Sequence, residues 1–224
     1  MDIQYESLTE RYSSKPEGYY EIQRPEMLPF IPDGVSSMLE VGCSSGGFGK
    51  LVKARRSSCE IWGIEPSPAA AAVASKRLDN TICGIFKAGM PELEGKQFDC
   101  IVFNDVLEHL VNPDQVLQDS KQYLSKTGVV VASIPNILHF YQIMQILIRQ
   151  DWKYEAQGIL DNTHLRFFTK KSIIRLFEES GYEVELIRGI NASVGLKYKV
   201  ANAITFGHLI DWKYVQFGVR ARVA

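Results

Sequence analysis

The sequence is poor in several features that mark particular classes of protein. It holds only four cysteines, Cys43, Cys59, Cys83 and Cys100, and no two of them form a C-x-x-C pair. Three of the four lie in or beside apolar, strand-like runs. The pattern therefore favours buried, reduced thiols over disulfides, and we expect no metal site.

Long hydrophobic runs and an excess of one charge are also missing. The stretch best suited to membrane contact, residues 140–148, is too short to span a bilayer. The first residues carry neither the basic patch nor the apolar segment of a signal peptide. Lysine and arginine number 25 against 26 acidic residues, for a net charge of −1, so nothing points to a nucleic-acid partner. We expect a cytoplasmic protein without membrane insertion.

The composition that remains is that of a globular protein. Hydrophobic residues make up 46% and charged residues 23% of the 224 residues, which is enough for a full core. No repeat or low-complexity linker divides the chain. We expect a helical lid segment over residues 1–36 and one domain over residues 37–224, with a cap inserted at about 137–169.

From residue 37 onward, strand-like and helix-like patterns alternate. Such alternation predicts right-handed βαβ units and a parallel sheet with helices on both faces. A helix before the last strand allows that strand to return antiparallel. The expected fold is α/β, a Rossmann-like three-layer sandwich with a seven-stranded, mostly parallel sheet. The predicted strands are 37–42, 60–65, 81–86, 98–104, 128–134, 182–190 and 214–223, and the predicted helices are 47–56, 68–78, 113–124, 138–149, 170–180 and 194–206.

Two segments outside this alternation are candidates for covering a site. Residues 17–30 indicate a short helix that kinks at Pro25 and ends at Pro29 and Pro32. The connection after the fifth strand is longer than the usual upper limit of about 12–15 residues, and its many aromatic residues argue against disorder. We interpret it as a cap over the carboxyl edge of the sheet, where open α/β sheets bind ligands.

The most informative short stretch is GCSSG at residues 42–46, between an apolar strand and a helix. It fits the G-x-S-x-G nucleophile elbow of α/β-hydrolases, a dinucleotide-binding loop, and the E/D-x-G-x-G-x-G loop that binds S-adenosylmethionine. In the last two motifs Ser44 stands in place of a glycine. A hydrolase elbow normally follows several strands, whereas this loop follows the first, and no His-Gly-Gly oxyanion loop is present.

Two acidic residues help to separate the remaining interpretations. Glu65 ends the second strand, 23 residues after Gly42, where an acid accepts hydrogen bonds from ribose hydroxyls in either case. Glu40 stands close to the loop, where it would repel a pyrophosphate but attract the ammonium and sulfonium groups of S-adenosylmethionine.

Several blocks together resemble class I S-adenosylmethionine-dependent methyltransferases, in matching order and spacing from residue 37 to about 188. They are LEVGCSSG at 39–46, GIEPS at 63–67, FDCIVFNDVLEHL at 98–110, Pro113, 124–128 and SIPN at 133–136. The block at 98–110 is the most specific. The blocks RPEML at 24–28 and HLRFFT at 164–169 resemble a bacterial subgroup whose members often accompany glycosyltransferases and polysaccharide-building enzymes.

The resemblance implies a set of cofactor contacts. Residues 40–46 would line the methionine end, Glu65 would bind the ribose with Pro66 and Ser67 beside the adenine, and residues 104–106 would lie under the methionine moiety. The full expected set is Arg24, Glu40, Gly42, Cys43, Ser44, Gly46, Phe48, Glu65, Pro66, Ser67, Ala88, Gly89, Asn104, Asp105, Val106 and His109.

The chain departs from the family pattern at two places. Ser44 replaces the middle glycine, which a small residue can do if its φ is negative. After the third strand the family usually has Gly-Asp, whose acid meets the adenine amino group, whereas here Ile85 follows Gly84 and residues 88–90 offer no acid. Adenine contact would then rest on backbone groups.

Methyl transfer requires an acceptor aligned with the methyl carbon and shielded from water, and an oxygen acceptor also benefits from a general base. The candidate bases are His164 in the cap, His109 after the fourth strand, and His139 at the pocket edge. Arg24 and Arg166 could clamp an anionic acceptor or form ordinary ion pairs. The expected substrate contacts are Tyr20, Asn136, His139, His164 and Arg166.

Three hypotheses follow. The first is a methyltransferase that uses S-adenosylmethionine, releases S-adenosylhomocysteine and acts on a small-molecule or sugar-containing acceptor, at oxygen. The second is a module that binds this cofactor without turnover. The third is an NAD-dependent oxidoreductase. A monomer and a homodimer are both compatible with the sequence.

Overall fold

The computed structural model describes residues 23–193 and 195–224. Within them one seven-stranded sheet is formed by β1 (Ser37–Val41), β2 (Glu60–Glu65), β3 (Asn80–Cys83), β4 (Phe98–Asn104), β5 (Leu124–Pro135), β6 (Tyr182–Ala192) and β7 (Tyr214–Val223). The α-helices are α1 (Gly47–Arg55), α2 (Pro68–Ala74), α3 (Pro113–Ser120), α4 (Phe140–Arg149), α5 (Lys170–Glu179) and α6 (Leu196–Ile204).

The strand order is β3-β2-β1-β4-β5-β7-β6. The pairs among β1 to β5 are parallel, and β7 is antiparallel to both of its neighbours, β5 and β6. The predicted seven-stranded, mostly parallel sheet with an antiparallel last strand is therefore confirmed. The strand β7 is the last in sequence, but it lies inside the sheet, between β5 and β6.

Helices cover both faces of the sheet because successive side chains of a strand point to opposite sides. On β1, Leu39 belongs to a core cluster that contains Ile173 and Phe177 of α5. Its neighbour Met38 belongs to a second cluster that contains Phe48 and Val52 of α1. The alternation gives the three-layer sandwich expected from the sequence.

Several element boundaries differ from the predicted ones. The third strand ends at Cys83 rather than residue 86, yet Phe86 remains buried because its ring packs edge-on against Phe103 and Tyr123. The fifth strand begins at Leu124, and an irregularity in its pairing with β4 accommodates the extra residues. The helix predicted to begin at residue 138 begins at Phe140.

The described part of the N-terminal segment forms a 3-10 helix, Pro25–Phe30, which packs Met27 and Phe30 onto the α1 side of the sheet. The rest of the helix predicted for residues 17–30, and Tyr20 with it, lies outside the described residues. None of the helices in the described ranges is long and apolar enough to cross a membrane.

Candidate functional site

The site predicted from the sequence lies where β1, β2 and β4 end side by side. Val41 is in register with Ile64 of β2 and with Phe103 of β4. The residues that follow each strand are therefore neighbours at the carboxyl edge of the sheet. The chain turns sharply there because the N–H groups of Gly42 and Cys43 both donate to the Ile64 carbonyl oxygen, at 2.8 and 3.0 Å.

Gly42 is required at this turn for two reasons. Its φ is +69°, in the left-handed region, and a Cβ on it would lie 2.6 Å from the Cγ2 atom of Val106. The backbone after β1 thus approaches the segment after β4 more closely than any side chain would permit. The close approach leaves backbone, rather than side chains, facing a ligand at this point.

Ser44 does not adopt the negative φ on which its substitution for glycine was expected to depend. Its φ is +55°, so that expectation is wrong, and the loop holds a serine in a conformation that costs a non-glycine residue about 1 kcal/mol or more. A hydrogen bond fixes this conformation, because the Ser44 N–H donates to Glu65 Oε2 at 2.9 Å.

Glu65 joins the ends of β1 and β2. Its Oε2 accepts from Ser44, and its Oε1 accepts from the Ser67 N–H at 2.9 Å. Burial raises the pKa of Glu65, while the N–H groups of Ser67 and Ser44 oppose that change. Ser67 also caps α2 by accepting a hydrogen bond from the Ala70 N–H at 3.4 Å.

Glu40, which is buried, and Asn104, which is half-buried, lie side by side at the ends of β1 and β4. Glu40 is 3% exposed and accepts a hydrogen bond from the Gly49 N–H at 3.1 Å. Burial raises the pKa of Glu40 to about 8, and the amide of Asn104 beside it favours the charged form. Neither polar atom of that amide completes a hydrogen bond of normal geometry with the described residues.

These features fit the methionine end of S-adenosylmethionine. Its ammonium group donates hydrogen bonds and carries a positive charge, which suits the Glu40 carboxylate and the Oδ1 atom of Asn104. Its carboxylate accepts hydrogen bonds, which suits the Nδ2 atom of Asn104. Neither Asn104 atom has a hydrogen-bond partner within residues 23–193 and 195–224. At Gly42 the turn leaves a narrow space beside Val106, which a Cβ atom would fill.

Two of the expected cofactor residues have another explanation in the fold. The Cys43 and Phe48 side chains are each 2% exposed and belong to the core cluster on the α1 face. Burial raises the pKa of Cys43, so its thiol stays protonated. Packing alone accounts for both side chains.

Arg24 and Asp105 lie together beside the segment that follows β4. Asp105 has a φ of +54°, and its carboxylate accepts hydrogen bonds from Arg24, from Gln216 Nε2 at 2.7 Å and from Ser133 Oγ at 3.0 Å. Arg24 also donates to Gln216 Oε1 at 3.0 Å and pairs with Glu26. The network joins the N-terminal segment to β4, β5 and β7.

The turn after β3 is anchored to α3. The Ala88 N–H donates to Asp119 Oδ2 of α3 at 3.3 Å, and Gly89 has a φ of +67°. A role for Ala88 and Gly89 in binding adenine stays a prediction.

Two histidines that lie 55 residues apart in sequence meet after β4. The His109 and His164 rings pack edge-on with centroids 4.7 Å apart. Glu108 lies beside them, with its Oε1 3.9 Å from His164 Nε2, and is 1% exposed. Burial raises the pKa of Glu108 to about 8. Sequence reasoning selected both histidines but missed Glu108, because nothing in the block at 98–110 indicates which way that side chain points.

The segment predicted to form a cap, at about 137–169, reaches this cluster through its backbone. The N–H groups of Leu165 and Arg166 donate to the Glu108 carbonyl oxygen, at 2.9 and 3.0 Å. The Arg166 side chain is exposed and donates to the Val111 carbonyl oxygen at 2.6 Å. The cap insert therefore brings His164 to the loop after β4.

His139 and Asn136 are held by the fold. His139 Nε2 lies 2.9 Å from the Ser193 carbonyl oxygen, and burial lowers the pKa of this histidine. The Asn136 amide donates to the carbonyl oxygens of Asp211 and Tyr214 and accepts from the Leu138 N–H. Asn136 ties the end of β5 to the start of β7, and His139 ties it to the chain just after β6. Their roles in catalysis or substrate binding stay predictions.

Comparisons with known proteins agree with this geometry. Residues 12–187 match the methyltransferase-domain family. The chain is 21% identical over 156 residues to "Ubiquinone biosynthesis O-methyltransferase" of Rickettsia canadensis (strain McKiel), a match that covers 68% of this chain and only 65% of that protein.

Solved structures share the fold at low identity. A SAM-dependent methyltransferase from Archaeoglobus fulgidus superposes with a TM-score of 0.62 at 17% identity, covering 97% of this chain and 99% of that one. A Thermotoga maritima protein, described as a possible histamine N-methyltransferase, gives 0.61 at 15% identity, covering 97% and 93%.

The chain belongs to the methyltransferase-domain family, and its fold is that of the class I S-adenosylmethionine-dependent methyltransferases. The cofactor of this class is S-adenosylmethionine. The assignment replaces the NAD-dependent oxidoreductase hypothesis and removes the nucleophile-elbow interpretation of Ser44.

Proposed function

We propose that this protein transfers a methyl group from S-adenosylmethionine to a hydroxyl oxygen of a small-molecule or saccharide-type acceptor. The observation that carries the proposal is the cluster of buried Glu108, half-buried His109 and buried His164 at the carboxyl edge of the sheet. The hydroxyl group of an alcohol or phenol is largely protonated near neutral pH. Transfer of a methyl group to its oxygen therefore needs a nearby group that accepts this proton or lowers the pKa of the hydroxyl.

The ends of β1, β2 and β4 hold the cofactor. Glu40 and Asn104 meet the amino-acid end, and Glu65 meets the ribose with lone pairs that its two N–H donors leave available. Bound S-adenosylmethionine would supply an electrophilic methyl group to the acceptor oxygen and would be left as a neutral thioether, and the proton of the acceptor hydroxyl would pass to the carboxylate–imidazole cluster or to water.

The network around Asp105 contributes through position. Asp105 is held by hydrogen bonds from β5, β7 and Arg24, so the loop that carries Val106 and Glu108 is fixed relative to the β1 turn. A fixed separation matters because displacement at the methyl carbon depends on the alignment of acceptor and leaving group.

The relatives support methyl transfer without selecting the acceptor atom. The Rickettsia protein is named an O-methyltransferase, whereas the Thermotoga protein is described as a possible N-methyltransferase. The choice of oxygen therefore rests on the carboxylate–imidazole cluster. The likeness of residues 24–28 and 164–169 to enzymes that accompany glycosyltransferases supports a saccharide among the acceptors.

The test is a panel of acceptors incubated with the protein and S-adenosylmethionine. Phenols, simple glycosides and nucleotide sugars are compared with matched amines, and both S-adenosylhomocysteine and the methylated product are measured by mass spectrometry. We expect product only with hydroxyl acceptors. Methylation of amines alone would contradict the proposal, and cofactor binding without turnover on any acceptor would favour the non-catalytic module.

A further inference from the structure

Glu108 is a buried carboxylate whose charge the described residues do not balance by hydrogen bonds. It is 1% exposed, and neither Oε1 nor Oε2 has a hydrogen-bond partner among those residues. A buried carboxylate is costly unless it is paired, protonated or bound to a metal ion. Its surroundings therefore need to supply a positive charge or a proton.

The neighbours of this carboxylate are metal-binding groups. One potential ligand atom from each of Glu108, His109 and His164 lies within 4.8 Å of the others. The His164 Nε2 to Glu108 Oε1 separation is 3.9 Å. Two ligands that each lie about 2.0–2.2 Å from one ion are about 3–4 Å apart. Movements of less than about 1 Å would thus bring all three onto one ion.

Backbone carbonyl groups orient both imidazoles for this role. His109 Nδ1 lies 3.2 Å from the Thr163 carbonyl oxygen, and His164 Nδ1 lies 3.0 Å from that of Ile159. A carbonyl oxygen only accepts, so each Nδ1 carries the hydrogen, and in the neutral ring the lone pair is then on Nε2. Metal-binding histidines commonly have such a carbonyl partner on the second nitrogen.

We propose that Glu108, His109 and His164 bind one divalent first-row transition-metal ion, although the sequence alone led us to expect no metal. Two imidazole nitrogens and one carboxylate oxygen suit zinc, cobalt or iron(II) better than magnesium or calcium, which prefer oxygen ligands. Three protein ligands leave coordination positions for water or for an acceptor oxygen.

The catalytic role of the ion, unlike its binding, rests on the proposed function. A hydroxyl group on the ion has a lowered pKa. Its O–H bond breaks with the proton passing to water, and the oxygen forms the new bond to the methyl carbon while the S–C bond breaks. A competing arrangement is a metal-free ion pair between Glu108 and a protonated His164.

The test of binding uses Co²⁺ as the probe. The whole chain is treated with a chelator, dialysed and titrated with Co²⁺, while visible absorption reports coordination and calorimetry reports stoichiometry. We expect one equivalent to bind the wild type and to raise its melting temperature. Loss of a residue that only hydrogen-bonds to a metal ligand weakens metal binding about 10- to 100-fold. Glu108→Gln and His164→Gln remove ligands themselves and should weaken Co²⁺ binding by more than this.

Two further variants keep the result interpretable. His208→Gln removes an exposed histidine outside the cluster and should bind Co²⁺ as the wild type does. His109→Gln removes a half-buried ligand and can be measured instead if Glu108→Gln or His164→Gln fails to fold. Equal affinity in wild type and Glu108→Gln would overturn the metal site in favour of the ion pair. Because Co²⁺ binding is measured without an acceptor, it can succeed even where methyl transfer to hydroxyls fails.

Discussion

The backbone N–H of Ser44 lies 2.9 Å from the Oε2 atom of Glu65, so the loop after β1 is fixed by a side chain from β2. The residue expected to bind the ribose therefore also shapes the loop expected to bind the methionine end. A change at Glu65 should consequently affect two parts of the cofactor site at once.

The first prediction concerns this carboxylate. Glu65→Ala should weaken binding of S-adenosylhomocysteine at least about tenfold, because it removes a charge-assisted ribose contact and releases the Ser44 N–H. Calorimetric titration measures the change. Glu94→Ala, at an exposed position, is the matched control and should bind as the wild type does. An affinity unchanged by Glu65→Ala would refute the role.

The second prediction concerns the conformation of Ser44. At a φ of +55°, a β-branched residue is strained, so Ser44→Val should lower the free energy of unfolding by about 1–3 kcal/mol. Ser44→Gly relieves the strain but adds freedom to the unfolded chain, so it should lie within about 1 kcal/mol of the wild type. Urea denaturation measures both variants, and equal stability of the two would show that the loop does not hold this φ in solution.

The third prediction concerns pH. Burial raises the pKa of Glu40 to about 8 from a usual value of 4.5. The folded state therefore binds the proton more tightly than the unfolded state, and the contribution of Glu40 is fully present below pH 4.5 and is lost as the pH rises to about 8. Buried Glu65 and Glu108 act in the same direction.

Glu40→Gln isolates this contribution. The wild type without cofactor should lose stability between pH 5.5 and 8.5, and the variant should lose less over the same interval, because an amide does not titrate. Melting temperatures in matched buffers measure both profiles. Parallel profiles would mean that Glu40 is ionised in the folded protein throughout this range.

The fourth prediction concerns the pair formed by Arg24 and Asp105. The side chains are 10% and 31% exposed. Removal of Asp105 leaves the buried Arg24 with Glu26 as its acidic partner, and removal of Arg24 leaves Asp105 with the neutral donors Ser133 and Gln216. Arg24→Gln and Asp105→Asn should be non-additive, with a coupling of about 0.5–3 kcal/mol in a double-mutant cycle. Arg222→Gln, which breaks an exposed pair with Glu183, should leave the urea midpoint nearly unchanged. Additive losses at Arg24 and Asp105 would show that the contact contributes nothing in solution.

Much of this architecture follows from the sequence because local patterns determine it. Apolar runs such as residues 98–104 and Gly42 at the first turn specify buried strands and a tight loop, and alternation with helices specifies a parallel sheet. The antiparallel β7 was predictable from the helix before it, since a helix of that length can reverse the chain.

The remaining features depend on contacts between distant residues. The Ser44 N–H is bound by Glu65, the Glu108 carbonyl oxygen by the N–H groups of residues 165–166, and Arg24 by Asp105, 81 residues away. Asn136 was expected to meet substrate, yet its hydrogen bonds go to the chain around β7. No single-residue pattern carries such information, because each depends on which chain segments meet in space.

The interior position of β7 has a consequence for synthesis on the ribosome. The strands whose ends form the predicted cofactor site have all been made once β4 is complete, but β6 has no neighbour in the sheet until β7 is inserted between it and β5. During translation, the backbone groups on one edge of β5 and on β6 therefore have no strand partner until residues 214–223 have been made. The half of the sheet that carries the predicted cofactor site can form early, whereas the other half is completed only when β7 is available.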